Sequence, residues 1–212
     1  VTTMQYLGIE YAMKHAPKLD PTFIPFGVWR KAYLKDAKQP IAIAVERDNG
    51  QVSVHKTFIH GTPEVADADY RYVERYVKFL LWSIGGFKVF ICGCSDLAKK
   101  LQNAYKPGGE REFDFTFVDQ LYEKTREIVD LPLEECPAAN ETAVPMGGHM
   151  DGCRIGFDAG GSDRKVSAVI DGECVYSEEV VWHPKTQSDP QYQFEGILDS
   201  FRTAASKMPR VD

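Results

Sequence analysis

The chain has 212 residues, 43% of them apolar, enough to bury one good core or two small ones. Its formal net charge of −6 argues against broad electrostatic binding to nucleic acid or anionic membranes, although backbone N–H groups can hold a small anion whatever the net charge. Five cysteines, an odd number in a chain this long, speak against a disulfide framework and for a reducing, cytoplasmic setting.

In chain order, Met4, Leu7, Tyr11 and His15 fall at helical spacing and predict a helix over 3–16, ended by Pro17, Pro21 and Pro25. Trp29, Ala32, Tyr33 and Ala37 give a weaker helical turn or two. Ile41 to Glu46 is a β-rich run, Asp48-Asn49-Gly50 is a turn, and residues 52–59 return as a strand. A strong amphipathic helix is expected over 67–84, through Tyr70, Val73, Val77, Leu80 and Leu81, stopped by Gly85-Gly86. A buried strand follows at 87–92, then a helix capped by Ser95 or Asp96, then another helix over 114–129.

Residues 130–150, punctuated by Pro132, Pro137, Pro145, Gly147 and Gly148, have no period and read as a connection between two units. Beyond it, strands are expected at 154–158, 166–170 and 174–182, and a helix at 191–207. The organisation is therefore an α/β unit over 1–130 with a hairpin at 41–60, a connection over 131–150, and a second unit over 151–212. Both units run strand, Asp/Asn-Gly turn, strand, loop, amphipathic helix, the pattern of an internal duplication. Only the second has a preceding strand that ends in an aspartate and a Gly-Gly turn. The sequence opens on Val1 and closes just after an amphipathic stretch, so both ends read as cuts in a longer protein. No opening stretch has the pattern of a secretory signal, and no run of about 18 apolar residues occurs.

Asp158-Ala159-Gly160-Gly161-Ser162-Asp163-Arg164-Lys165 carries the chemistry. It is not a P-loop or a dinucleotide fingerprint, both of which open a helix. Without side chains, Gly160 and Gly161 let backbone N–H groups approach phosphate oxygens, and Ser162 adds a hydroxyl donor. Bare phosphate would repel Asp158, whose expected task is to engage Mg²⁺ through water. Lys165 is expected to pair with phosphate as a point charge.

With Ile155-Gly156-Phe157 before it and the Asp171-Gly172 turn after it, this motif resembles the first phosphate motif of the ROK family of sugar kinases and regulators. More broadly it is similar to the superfamily of acetate kinase, sugar kinases, heat-shock 70 proteins and actin. The resemblance covers residues 154–212. It implies a ribonuclease-H-like (actin-like ATPase) fold of mixed sheets with flanking helices, in which the hairpin contacts the phosphates of Mg-ATP. It also implies transfer of the γ-phosphoryl group to a sugar hydroxyl; the alternative is a non-catalytic sugar-sensing or transcription-regulatory protein. The implied partners are a nucleotide and a small sugar, with a homodimer as a further expectation, and nucleic acid is not expected for this chain. The sugar-activating aspartate of ROK kinases would lie beyond Asp212, the zinc motif of many ROK proteins is absent, and residues 1–140 do not resemble the winged helix of ROK repressors.

Other candidates have plainer readings. Cys92-Gly93-Cys94 lacks a second Cys/His pair and reads as a strand end. His55, His60 and His183 read as strand or strand-end residues, and His149 as a loop residue. Asp119, Glu123 and Glu127 fall at four-residue spacing and read as a solvated helix face. Tyr70, Tyr72 and Tyr76 read as core and helix flank rather than a base-stacking platform.

Overall fold

The computed structural model describes residues 2–143 and 146–212; Val1, Val144 and Pro145 (a residue that punctuates the connection in the sequence) lie outside the described residues. The chain is mixed α/β and divides into two compact units, Val1–Ala143 and Val144–Asp212. Residues 131–143 thus belong with the first unit and the rest of the 131–150 segment with the second. Among the described residues no helix is long and apolar enough to cross a membrane.

The first unit opens with a two-stranded antiparallel hairpin, β1 (Thr2–Tyr6) and β2 (Ile9–Met13). This corrects the helix expected over 3–16. Ile9, Tyr11 and Met13 are buried while Glu10 and Ala12 are exposed, a period of two that the helical spacing of Met4, Leu7 and Tyr11 masked. The reversal is made by Leu7 and Gly8, both at positive φ (51° and 79°).

Helix α1 (Phe26–Tyr33) follows, then β3 (Gln39–Glu46) and β4 (Val52–Ile59), with Asn49 and Gly50 between them at φ 60° and 67°. Helix α2 (Ala66–Ser83), strand β5 (Lys88–Cys92), helices α3 (Ser95–Ala104) and α4 (Glu112–Tyr122), and strand β6 (Glu127–Leu131) complete the unit. Its sheet has the order β4-β3-β5-β6: β3 is antiparallel to both neighbours, and β5 and β6 are parallel. The strand β6 corrects the helix expected to run to 129. Glu123 adopts the left-handed conformation (φ 51°) just after α4 and ends it there, so Glu127 lies on a strand, apart from Asp119 on the helix.

Ile41, Ile43 and Val45 pack under the helices with Trp29, Tyr33, Tyr72 and Leu80, each at most 2% exposed. Ala42 and Ala44 on the other face are also buried, so β3 reads as a continuous apolar run, as a strand covered on both faces must. Two buried carboxylates are fully engaged. Asp69 accepts from Tyr33 Oη (2.5 Å), His60 N (3.0 Å) and Gly61 N (2.8 Å), tying α1, α2 and the end of β4 together. Burial, and then the Asp69 carboxylate, raise the Tyr33 hydroxyl far above its ordinary range, so it stays a donor. Glu74, 0% exposed, is held by Arg111 at 2.5 Å and Arg71 at 3.5 Å.

The second unit is an antiparallel meander, β7 (Cys153–Ala159), β8 (Asp163–Ile170) and β9 (Glu173–Val181), followed by helix α5 (Pro190–Ala205). Asp171 and Gly172, at φ 49° and 86°, turn β8 into β9. Val166 and Ala168 of β8 pack with Cys153, Ala204 and Met208 into a small core. The two units share the module strand, left-handed turn, strand, one-turn 3₁₀ helix opening on proline (Pro63 or Pro184), long helix.

Candidate functional site

In an antiparallel sheet, residues directly opposite one another share a face. Asp158 of β7 stands opposite Lys165 of β8, which stands opposite Glu179 of β9. The next row on that face is Gly156, Ser167, Ser177. Arg164, Val166 and Ala168 point to the other face, toward α5. The exposed rows line a shallow trough of about 450 Å³. Gly156 brings the Ser167 hydroxyl close to the β7 backbone, where a Cβ would lie 2.6 Å from Oγ.

The strands run closer to the Gly-Gly turn than the sequence suggests: β7 ends at Ala159 and β8 starts at Asp163, leaving residues 160–162 as the connection. Gly160, Gly161 and Ser162 therefore sit at the tip of the hairpin, at one end of the trough, and neither glycine has positive φ. Their lack of a side chain matters for space instead. A Cβ on Gly160 would fall 2.5 Å from the Asp163 carbonyl oxygen, and one on Gly161 2.9 Å from Lys185 Cε.

The tip is braced from β9. Trp182, 5% exposed, donates through Nε1 to Gly160 O (2.7 Å) and through its backbone N to Ser162 O (3.0 Å). Both bonds use turn carbonyls and neither uses a turn N–H. Arg164, next to the turn, is 8% exposed and fastens β8 to α5 through Asp199 (2.9 Å), Ser200 Oγ and Gly196 O. Sequence reasoning did not single out Trp182, Arg164 or Lys185, because Trp182 and Lys185 meet turn residues far from them in sequence and Arg164 is tied to α5.

Asp163 organises two of the expected phosphate donors. Ser162 Oγ donates to Asp163 Oδ2 (3.2 Å), and Lys165 Nζ donates to Asp163 Oδ1 (2.5 Å). The Lys165 ammonium holds the Asp163 carboxyl below the usual carboxylate range, and Asp163, then Glu179 and Asp158, raise that of Lys165. Glu179 lies 3.9 Å from the Lys165 ammonium.

Mg²⁺ takes one or two carboxylates and completes its shell with water and phosphate oxygens. Asp158, exposed beside the turn, fits that use. Among the described residues no group of three or more His, Cys, Asp or Glu is arranged to hold a metal.

His60 Nε2 is 2.9 Å from Tyr33 O, and His55 packs edge-on to Tyr76. His183 is exposed at the end of β9, its N–H bonded to Tyr192 Oη. All five cysteines are free thiols. No family model matches the chain, and no curated protein matches it.

Proposed function

We propose that residues 151–212 are the phosphate-binding start of an ATP-binding lobe, in a cytoplasmic protein of ribonuclease-H-like, actin-like ATPase fold resembling the ROK sugar kinases. The whole protein transfers the γ-phosphoryl group of ATP to a sugar hydroxyl. One observation carries the reading: Gly160-Gly161-Ser162 caps a hairpin whose two strands set Asp158 and Lys165 opposite each other on one exposed face. The turn N–H groups and the Ser162 hydroxyl hold phosphate oxygens, and Asp158 engages Mg²⁺ through water. Bound Mg²⁺ would neutralise charge on the phosphates; the chain's own part is to position them.

The non-catalytic alternative, a ROK-like sensor, draws support from the first unit. There the flank of β3 that corresponds to the β7 side of β8 is taken by β5, so the unit repeats the module without a Gly-Gly hairpin.

The test is a titration of Mg-ATP, and separately of Mg-tripolyphosphate, into ¹⁵N-labelled protein. Both are expected to shift the amides of Gly160, Gly161 and Ser162 in a saturable way. Unchanged turn amides at millimolar ligand would refute the phosphate site. Phosphorylation of a sugar by the whole protein separates kinase from sensor.

A further inference from the structure

Resting on that phosphate site, we infer that Lys185, and not Lys165, is the cation that pairs with the polyphosphate chain at the Gly160–Gly161 turn.

Lys165 is already surrounded by carboxylates. Asp163 holds its ammonium at 2.5 Å, Glu179 lies at 3.9 Å, and Asp158 stands opposite it in register. A phosphate oxygen approaching Lys165 meets three negative groups around one positive one, and must displace Asp163 to reach it. Coulomb repulsion from those carboxylates offsets whatever the single ammonium offers.

Lys185 is in the opposite situation. Its Cε and Nζ lie 2.9 Å and 3.1 Å from where a Gly161 Cβ would be, so the side chain runs along the bare backbone of the turn. Among the described residues it makes no salt bridge. The backbone that carries it is fixed. Pro184–Thr186 is a one-turn 3₁₀ helix, and Gln193 of α5 donates to Pro184 O (3.0 Å) and Gln187 O (3.3 Å). Tyr192 Oη takes the His183 N–H at 3.0 Å. Trp182, three residues before Lys185, is itself bonded to the turn. The segment is thus held to α5 on one side and to the turn on the other.

This placement gives Gly161 a second purpose. Its missing side chain leaves room for an ammonium against the turn, where the charge adds to the field of the backbone N–H groups. The ligand class is a polyphosphate, and the nucleoside part of ATP would make no contact with Lys185.

The experiment is the titration above, with Mg-ATP and Mg-tripolyphosphate, on wild type, Lys185→Ala, Lys165→Ala and Lys185→Arg. Lys185→Ala is expected to weaken both ligands about tenfold, the scale of one charge-assisted hydrogen bond, and to flatten the dependence on ionic strength. Lys165→Ala should change affinity by less than about threefold, and Lys185→Arg should restore most of the loss. Lys185 is exposed, so its removal should leave the amide spectrum of β7 and β8 unchanged without ligand. Wild-type binding with Lys185→Ala equal to wild type would overturn this assignment and leave the phosphate site standing. A large loss with Lys165→Ala alone would return the role to Lys165. Absence of any wild-type binding would overturn the phosphate site and this inference together.

Discussion

The adjacent glycines of the turn should respond very unequally to the same added methyl group. Gly160→Ala puts a Cβ 2.5 Å from the Asp163 carbonyl oxygen and 3.0 Å from its Oδ1. The first is backbone at the start of β8, in the strand fastened to α5 through Arg164, so it cannot yield without opening the hairpin. Forcing such a contact costs about 1–3 kcal/mol, the scale of overpacking. Gly161→Ala meets only Lys185 Cε and Nζ, the far end of a flexible side chain, which can swing away. Neither residue has positive φ, so no left-handed strain is added, and Gly161→Ala should keep stability within about 0.5 kcal/mol of wild type. Because the chain has two units, the assay should report the second alone: native-state hydrogen exchange at Val166 and Ala168 in β8. At about 1.4 kcal/mol per factor of ten, Gly160→Ala should speed global-opening exchange there roughly 5- to 150-fold, and Gly161→Ala barely at all. Equal protection in the two variants would show that the turn is not held as tightly as these contacts require. Gly161→Ala should nonetheless weaken polyphosphate binding, since it moves Lys185.

Arg111→Met should destabilise the first unit by about 3 kcal/mol by leaving the buried Glu74 carboxylate with only the 3.5 Å contact to Arg71, and Glu74→Met added to it should recover much of the loss; urea unfolding of both variants checks this. Arg126 is 5% exposed and its three nitrogens make no hydrogen bond to another described group, so Arg126→Met should be neutral or stabilising by about 1–3 kcal/mol, read from the unfolding midpoint. Exposed Cys174 should react first with iodoacetamide, while Cys92, whose thiol burial and the neighbouring Cys136 push up to about 12, should react only on unfolding; mass spectrometry of time points decides it. The Asp163 carboxyl is lowered by Lys165, so its contribution is complete above the ordinary aspartate value and is lost as pH falls through the lower folded value. Carboxyl carbon shifts of Asp163 should therefore titrate below the ordinary aspartate range, and Lys165→Ala should bring them back toward it.

What could be read from the sequence was local. The β3–β4 hairpin was legible because Asn49-Gly50 names its turn and the strands on each side are β-rich, and α2 because its apolar residues keep helical spacing over five turns. The opening hairpin was not, because Met4, Leu7 and Tyr11 satisfy the helical template too, and only burial against α1 decides for the strand. Strand β6 was hidden because Glu123, a residue with no special turn propensity, ends the helix. At the candidate site, the turn and its two flanking strands were visible as a motif, whereas Trp182 and Lys185 come to it only through the return of β9, which no short window of sequence contains.

The two units give an internal comparison of what the proposed phosphate hairpin adds to the shared module. β3 and β8 both lead through a left-handed turn into a second strand, a proline-headed 3₁₀ turn and a long helix. The difference is the strand on the free flank. Beside β8 it is β7, which arrives antiparallel and joins it through residues 160–162, so the reversal itself lies at the sheet end and exposes its backbone. Beside β3 it is β5, which follows α2 and is also antiparallel, but has no direct connection to β3. Ala42 and Ala44 of β3 are buried on the face where Lys165 and Ser167 of β8 line an open trough, if the two strands are matched by the side opposite their helix. The same module thus buries the central strand's second face in one unit and leaves it exposed in the other. A backbone anion site needs the open one: N–H groups at a strand reversal, no Cβ in the way, and a cation brought in from the segment after the meander.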